Sequence, residues 1–146
     1  MTVVESNVFI NATPDQVDAI ASNPRRWPEW YADVEKIRID PVFPEIGGKV
    51  EITFNIAGIT FKVRFTQREF VPAHKSVCTL DGRFKGTSQF IVSVENSGSR
   101  ASLALNYQIP GGFLGGVANN VFIKDRIQEN LDTSLSNLKG LVESGI

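Results

Sequence analysis

The C-terminal quarter of the chain constrains the fold most, because it predicts one long amphipathic helix. Residues 111–146 open with a glycine-rich stretch and continue with apolar residues at helical spacing. Projected at 100° per residue from Leu131, five apolar side chains lie within about 40° of one line. They are Phe113, Ile127, Leu135, Leu138 and Val142. At about 1.5 Å per residue, a helix of about 30 residues is roughly 45 Å long and spans a small domain.

The segment from residue 34 to residue 109 predicts one strand after another. Residues 34–40 are a candidate strand, and residues 49–56 and 59–70 alternate apolar with polar side chains. The apolar faces of these two alternating strands are Val50, Ile52, Phe54 and Ile56, and Ile59, Phe61, Val63 and Phe65. Three further strands are predicted before residue 110. A curved antiparallel sheet that lays these faces against the terminal helix buries both apolar patterns together.

The N-terminal part predicts a strand followed by a capped helix. Residues 2–11 alternate as a half-buried strand does. Thr13 is a candidate N-cap, Pro14 suits the first helical position, and Gln16 stands where a capping box requires a glutamate or glutamine. A short helix is therefore expected to begin after Thr13 and to end before Pro24.

One or two further helical turns are predicted around the tryptophans at 27 and 30. Trp30 is expected to fill the junction between the short helices and the sheet, and the alternative for Trp27 is a place at a pocket mouth. The whole pattern predicts one α+β domain over residues 1–146. It consists of a curved antiparallel sheet of six to seven strands wrapped around a long C-terminal helix, with two short helices after the first strand.

Composition excludes several classes of protein. A net charge of −1 and a pI near 5.8 argue against nucleic-acid binding, which requires a basic face. The single cysteine, Cys78, excludes an internal disulfide and is typical of a reducing compartment. With no apolar run of about 18 residues and no signal-like N-terminus, a cytoplasmic protein without a membrane anchor is expected.

No motif for a cofactor, phosphate or metal is present in the sequence. The only histidine, His74, is expected at the surface, and Cys78 is expected to be an inert buried thiol. No nucleophile stands with a base, and no two carboxylates share the predicted inner face. Neither a cofactor, a metal nor a convincing catalytic constellation is therefore predicted.

A few polar side chains are predicted to point inward among apolar ones. Gln67 continues the Phe61 and Phe65 side of its strand, Ser88 the side of Phe90, and Tyr107 the inner side of the last strand. Asn120 and Lys124 project within about 20° of the apolar line of the helix. An apolar pocket with a few convergent polar groups is the usual form of a small-molecule site.

Both ends of the chain resemble a known family. The opening string "FINATPDQVDAIASNPRRWPEW" and the closing strings "PGGFLGG" and "LSNLKGLVES" resemble the START-related, Bet v 1-like superfamily (SRPBCC), in its polyketide cyclase/dehydrase-like branch. The positions that carry the N-terminal resemblance are Ile10, Ala12, Pro14, Val17, Asn23, Pro24, Trp27, Pro28 and Trp30. The resemblance implies a helix-grip fold that encloses lipids, polyketides, quinones or plant hormones, with cyclisation or dehydration in some members.

The resulting hypothesis is a protein that binds a small hydrophobic ligand between the sheet and the C-terminal helix. Its apolar wall is predicted to comprise Phe54, Phe61, Phe65, Phe90 and Val117. The polar end of the ligand is expected to meet Tyr107, Asn120 and Lys124. One alternative is a cyclase or dehydratase in which Lys124 or Tyr107 acts as an acid. A second alternative is a protein-interaction module.

Overall fold

The computed structural model describes residues 2–56, 58–108 and 120–145. Its helices and strands follow the predicted order. They are β1 (Thr2–Ile10), α1 (Pro14–Ala21), a 3-10 helix (Pro24–Arg26), α2 (Trp27–Trp30), β2 (Val34–Ile39), β3 (Lys49–Ile56), β4 (Ile59–Val71), β5 (Lys75–Gly82), β6 (Lys85–Glu95), β7 (Gly98–Gln108) and α3 (Asn120–Ser144). The predicted α+β helix-grip fold is confirmed.

The strands form one antiparallel sheet in the order β1-β7-β6-β5-β4-β3-β2. Alternation sets the register, so that Phe54 of β3 lies opposite Phe61 of β4 on the inner face. The ladder between β4 and β5 shifts between Gln67 and Glu69, and that between β2 and β3 shifts between Val34 and Lys36. Such irregularities bend and twist strands locally, which suits a sheet that curves around a helix.

Helix α3 packs its apolar line against the inner face of this sheet. Its buried apolar residues are Ile123, Ile127, Leu131, Leu135, Leu138 and Val142. The prediction for Ile127 to Val142 is therefore confirmed, whereas Phe113 lies outside the described residues. No helix in the part of the chain that the structure describes is both long and apolar enough to cross a membrane.

Helix α1 begins with the predicted capping box. The backbone N–H of Gln16 donates to Thr13 Oγ1 at 3.2 Å, and the backbone N–H of Thr13 donates to Gln16 Oε1 at 2.9 Å. Two amide groups that the helix itself leaves without partners are thereby satisfied.

Polar side chains of α3 hold the segment that follows α2. Asn137 Nδ2 donates to the carbonyl oxygen of Trp30 at 3.3 Å, and Asn130 Nδ2 donates to that of Ala32 at 2.9 Å. The backbone N–H of Ala32 donates to Ser134 Oγ at 2.9 Å. Asn130 and Ser134 are buried, so their polar atoms require such partners. These bonds fix the backbone of residues 30–32 against α3.

The glycine within α3 offers a test of helix stability. Gly140 is exposed, and a Cβ added there meets no atom within 4 Å. Because glycine loses more backbone entropy on folding than alanine, Gly140→Ala is expected to raise the free energy of unfolding by about 0.5–1 kcal/mol in urea titrations. The matched control is Gly58→Ala, which is expected to destabilise because Gly58 has φ +83°. A loss of stability in Gly140→Ala would contradict the expectation.

Candidate functional site

Described residues line two small cavities where the sheet faces the helices. The first, here called the apolar cavity, has a volume of about 50 Å³ and lies between β3, β4, β5, β7 and α3. The second, the polar cavity, has a volume of about 30 Å³ and lies between the sheet, α2 and the β2–β3 connection. At about 10–15 Å³ for each water, the polar cavity holds roughly two or three water molecules and the apolar cavity roughly three to five.

Aromatic side chains form much of the apolar cavity. Phe54, Phe61 and Phe65 line it, as the alternation of β3 and β4 predicts. Phe84 of the β5–β6 turn also lines it and meets Phe61 edge-on, with ring centroids 5.1 Å apart. On the opposite side, α3 contributes Leu131. This lining is suited to an apolar molecule.

Three polar side chains lie side by side across β4, β5 and β6 at the polar cavity. Gln67 is paired in register with Cys78, and Cys78 with Ser88. Gln67 is 1% exposed, and its Oε1 accepts from Ser76 Oγ at 2.8 Å and from Cys78 Sγ at 3.3 Å. Its Nε2 donates to the carbonyl oxygen of Pro44 at 3.1 Å. The inward direction predicted for Gln67 and Ser88 is confirmed.

The two tryptophans line the polar cavity and differ in their hydrogen bonds. Trp27 Nε1 donates to the carbonyl oxygen of Ala21 at 2.9 Å. Trp30 is 2% exposed, and its Nε1 has no partner among the residues that the structure describes. Trp30 lies where the short helices meet the sheet, as predicted, and stacks on Tyr31 with ring centroids 4.4 Å apart.

Tyr31 lies where the two cavities adjoin. It is one of three residues that line both, together with Phe65 and Ser88. Burial raises the pKa of the Tyr31 hydroxyl, the nearby Cys78 raises it further, and a side-chain hydrogen bond with Ser88 opposes the rise. The phenol is therefore neutral at physiological pH. Sequence reasoning missed Tyr31, although its position directly after the Trp-Pro-Glu-Trp turn was a signal for it.

The other residues predicted for the site do not all line a cavity. Phe90 is half-buried and lines the polar cavity. Tyr107 is buried behind Phe84, with ring centroids 5.5 Å apart, and lines neither of these two cavities. Val117 lies outside the described residues, and Asn120 begins α3 with a side chain that the structure does not describe.

The predicted position of Lys124 on the buried line of α3 is wrong, because Lys124 is exposed. At this end of the helix the inward positions are Ile123 and Ile127, both buried. Around the helix, Lys124 lies about 100° from Ile123 and about 60° from Ile127, which turns it away from the interior. A long lysine stem also favours an ammonium group in water.

The polar cavity contains one thiol, and its reactivity can be measured. Burial raises the pKa of Cys78 to about 12, although a hydrogen bond with Ser76 opposes the rise. At pH 8 the thiolate fraction is then roughly one in ten thousand. We expect iodoacetamide to alkylate Cys78 at least about 100-fold more slowly in the folded protein than in urea. Alkylation at equal rates would contradict this inert role.

The described residues offer little for metal or acid–base chemistry. They contain no cluster of three histidine, cysteine, aspartate or glutamate side chains that could hold a metal ion. His74 is exposed, as predicted. The titratable groups in the linings of the two cavities are Tyr31 and Cys78, both weak acids whose pKa values burial raises. Neither group is therefore ionised at physiological pH.

A large open cleft lies outside the sheet–helix interior. It has a volume of about 370 Å³ and lies between α1 and the β2–β3 connection. Asp18 and Arg25, with opposite charges, are among its lining residues. Such a mixed and open surface is typical of a hydrated groove and does not enclose an apolar molecule.

The sequence matches the model of one known protein family. The sequence model of a family described as "polyketide cyclase / dehydrase and lipid transport" matches residues 1–143. Comparison with curated proteins gave no match.

Solved structures share the fold at low sequence identity. The protein TTHA0849 from Thermus thermophilus is 19% identical with a TM-score of 0.85, covering 99% of each chain. A START superfamily protein from Mycobacterium smegmatis is 15% identical with a TM-score of 0.80, also covering 99% of each chain. The Zhui aromatase/cyclase from a Streptomyces species is 13% identical with a TM-score of 0.78, covering 97% of this chain and 93% of that one.

Proposed function

The chain belongs to the polyketide cyclase/dehydrase and lipid transport family, and on that premise we propose that it binds a small hydrophobic ligand between the sheet and α3. The resemblance drawn from the sequence is thereby confirmed. The observation that carries the proposal is the pair of adjoining cavities, one apolar and one with a polar wall. The cytoplasmic location expected from the sequence belongs to the same proposal.

The two cavities are small compared with a lipid or a quinone. Together they hold only a few water molecules, so a lipid- or quinone-sized ligand requires side chains between them to move. Tyr31 is one of the three residues that line both cavities, and its side chain stacks on Trp30, meets Trp27 edge-on and forms a hydrogen bond with Ser88. Binding is therefore proposed to join the two cavities by moving Tyr31.

Native mass spectrometry of the purified protein tests this function. We expect either a retained small molecule or uptake of one from an offered lipid and quinone extract. Leu105→Phe, which adds a ring to the wall of the apolar cavity, is expected to reduce uptake at least about tenfold. The matched control is Leu141→Phe on α3, at a half-buried position that lines neither cavity.

One outcome would contradict the binding function, and another would contradict the proposed binding location. Protein that carries no small molecule and takes up none contradicts the proposal. Equal loss of uptake in both phenylalanine variants contradicts the place of binding, provided that circular dichroism finds both variants folded.

The enzyme alternative has weaker support. Its acid was expected to be Lys124 or Tyr107, but Lys124 is exposed and Tyr107 lines neither of the two cavities. For the interaction module, a contiguous exposed apolar patch was the expected sign. The large exposed apolar side chains among the described residues are single ones on separate elements, apart from Val42 and Ile46 of the β2–β3 connection.

A further inference from the structure

Trp30, which lines the polar cavity, has an indole N–H without a hydrogen-bond partner among the described residues. Trp30 is 2% exposed. A buried donor without a partner costs free energy, and a bound group that accepts from it recovers that cost. The N–H of the neighbouring Trp27 is not available to a ligand, because it already donates to the carbonyl oxygen of Ala21.

The principal acceptor at this cavity is already occupied. Gln67 Oε1 accepts from both Ser76 and Cys78, which uses its two lone pairs. A ligand that brings a donor therefore gains little from Gln67, whereas a ligand that brings an acceptor gains a bond from Trp30. Between Gln67 and Trp30, a ligand that brings an acceptor therefore gains more than a ligand that brings a donor.

The lining of the polar cavity also disfavours an ionised ligand group. Its described lining contains no lysine, arginine, histidine, aspartate or glutamate. Tyr31 and Cys78 are neutral at physiological pH, because burial raises the pKa of each. An ionised ligand group here would be a buried charge without a counter-ion, which is far more costly than a neutral one.

The acceptor must be attached to an apolar body. Behind Tyr31, the apolar cavity is lined by Phe54, Phe61, Phe84 and Leu131, and its walls are shared with the polar cavity through Phe65. A molecule that fills both spaces therefore places apolar surface against these rings and a single polar group near Trp30.

We propose that the ligand is a neutral apolar molecule bearing a carbonyl-type oxygen, and that Trp30 Nε1–H donates a hydrogen bond to that oxygen. The inference rests on the proposed function and names the chemistry of the ligand. It makes Trp30 the residue that discriminates a carbonyl compound from a hydrocarbon, whereas the uncharged lining of the cavity discriminates against a carboxylate.

Three probes of similar size test the inference. Acetophenone carries a ketone, α-methylstyrene replaces the ketone oxygen with CH₂, and benzoate carries an ionised carboxylate. Dissociation constants are measured by NMR titration of ¹⁵N-labelled protein, in which the two tryptophans give two indole N–H signals. We expect acetophenone to move the Trp30 indole proton downfield, and benzoate to bind at least about tenfold more weakly than acetophenone.

Tryptophan-to-phenylalanine variants provide the matched comparison. In Trp30→Phe, the ratio of acetophenone to α-methylstyrene affinity is expected to fall about fivefold to tenfold. In Trp27→Phe, on the same cavity wall, the ratio is expected to stay within about twofold, because that N–H is already committed to Ala21. If Trp30→Phe does not fold, the indole shift of the natural protein remains as an independent readout.

Each outcome decides between the two proposals. A ratio unchanged in Trp30→Phe, or an indole proton that acetophenone moves no more than α-methylstyrene does, overturns the inference and leaves the binding function standing. Tighter binding of benzoate than of acetophenone overturns the neutral headgroup. Failure of all three probes to bind overturns the inference, and the mass-spectrometric experiment separately decides whether the binding function also fails.

Discussion

Leu138→Ala is expected to lower the free energy of unfolding by about 3 kcal/mol. Leu138 lies on the buried line of α3 and is 0% exposed. Truncation removes apolar contacts from both the helix and the sheet and leaves a void that a packed interior fills poorly. For a domain with a typical stability of about 5–15 kcal/mol, such a loss is a large fraction of the total.

Urea titration followed by circular dichroism gives the measurement. The control is Ser136→Ala on the exposed face of the same helix, where a change within about 0.5 kcal/mol is expected. A loss below about 1 kcal/mol in Leu138→Ala would mean that α3 does not form the centre of the core.

Gln67→Leu is expected to destabilise the protein by about 2–4 kcal/mol, although leucine is apolar and similar in length. The substitution leaves the carbonyl oxygen of Pro44 and the hydroxyl of Ser76 without the partners that Gln67 provides. Both groups are part-buried, and a polar group left without a partner in the interior costs about 1–3 kcal/mol, which outweighs the gain from burying a more apolar side chain.

The same substitution at an exposed glutamine separates the buried network from strand propensity. Gln108, at the end of β7, is exposed, and Gln108→Leu is expected to change stability by less than about 0.5 kcal/mol. Equal urea midpoints for Gln67→Leu and the natural protein would refute the role assigned to this network.

Local sequence patterns predicted most of the fold, because each pattern reports a single element. Strict alternation placed Phe54 and Phe61 on one face, and the structure pairs them across β3 and β4. The capping box at Thr13 marked the start of α1. These patterns depend on neighbours in sequence, so no tertiary information was needed to interpret them.

The site was harder to predict, because its residues meet only through tertiary packing. A helical projection treats every turn of α3 alike, and it therefore placed Lys124 on the buried line. In the structure that line runs through Ile123 and Ile127 at this end of the helix. Tyr31 has no periodic partners, since it lies between α2 and β2, and its place between the cavities depends on the contacts of α3. The unpaired N–H of Trp30 likewise becomes visible only when all its neighbours are known.

The bonds that hold residues 30–32 against α3 have a consequence for substitutions at position 31. Asn130, Ser134 and Asn137 contact backbone atoms of Trp30 and Ala32, and none of these bonds involves the side chain at position 31. The backbone at this point is thus held by α3, whereas the Tyr31 side chain packs against Trp27, Trp30 and Phe65 and lines both cavities. A substitution at position 31 would therefore change the packing between the two cavities, while the bonds from α3 still hold the backbone of residues 30–32.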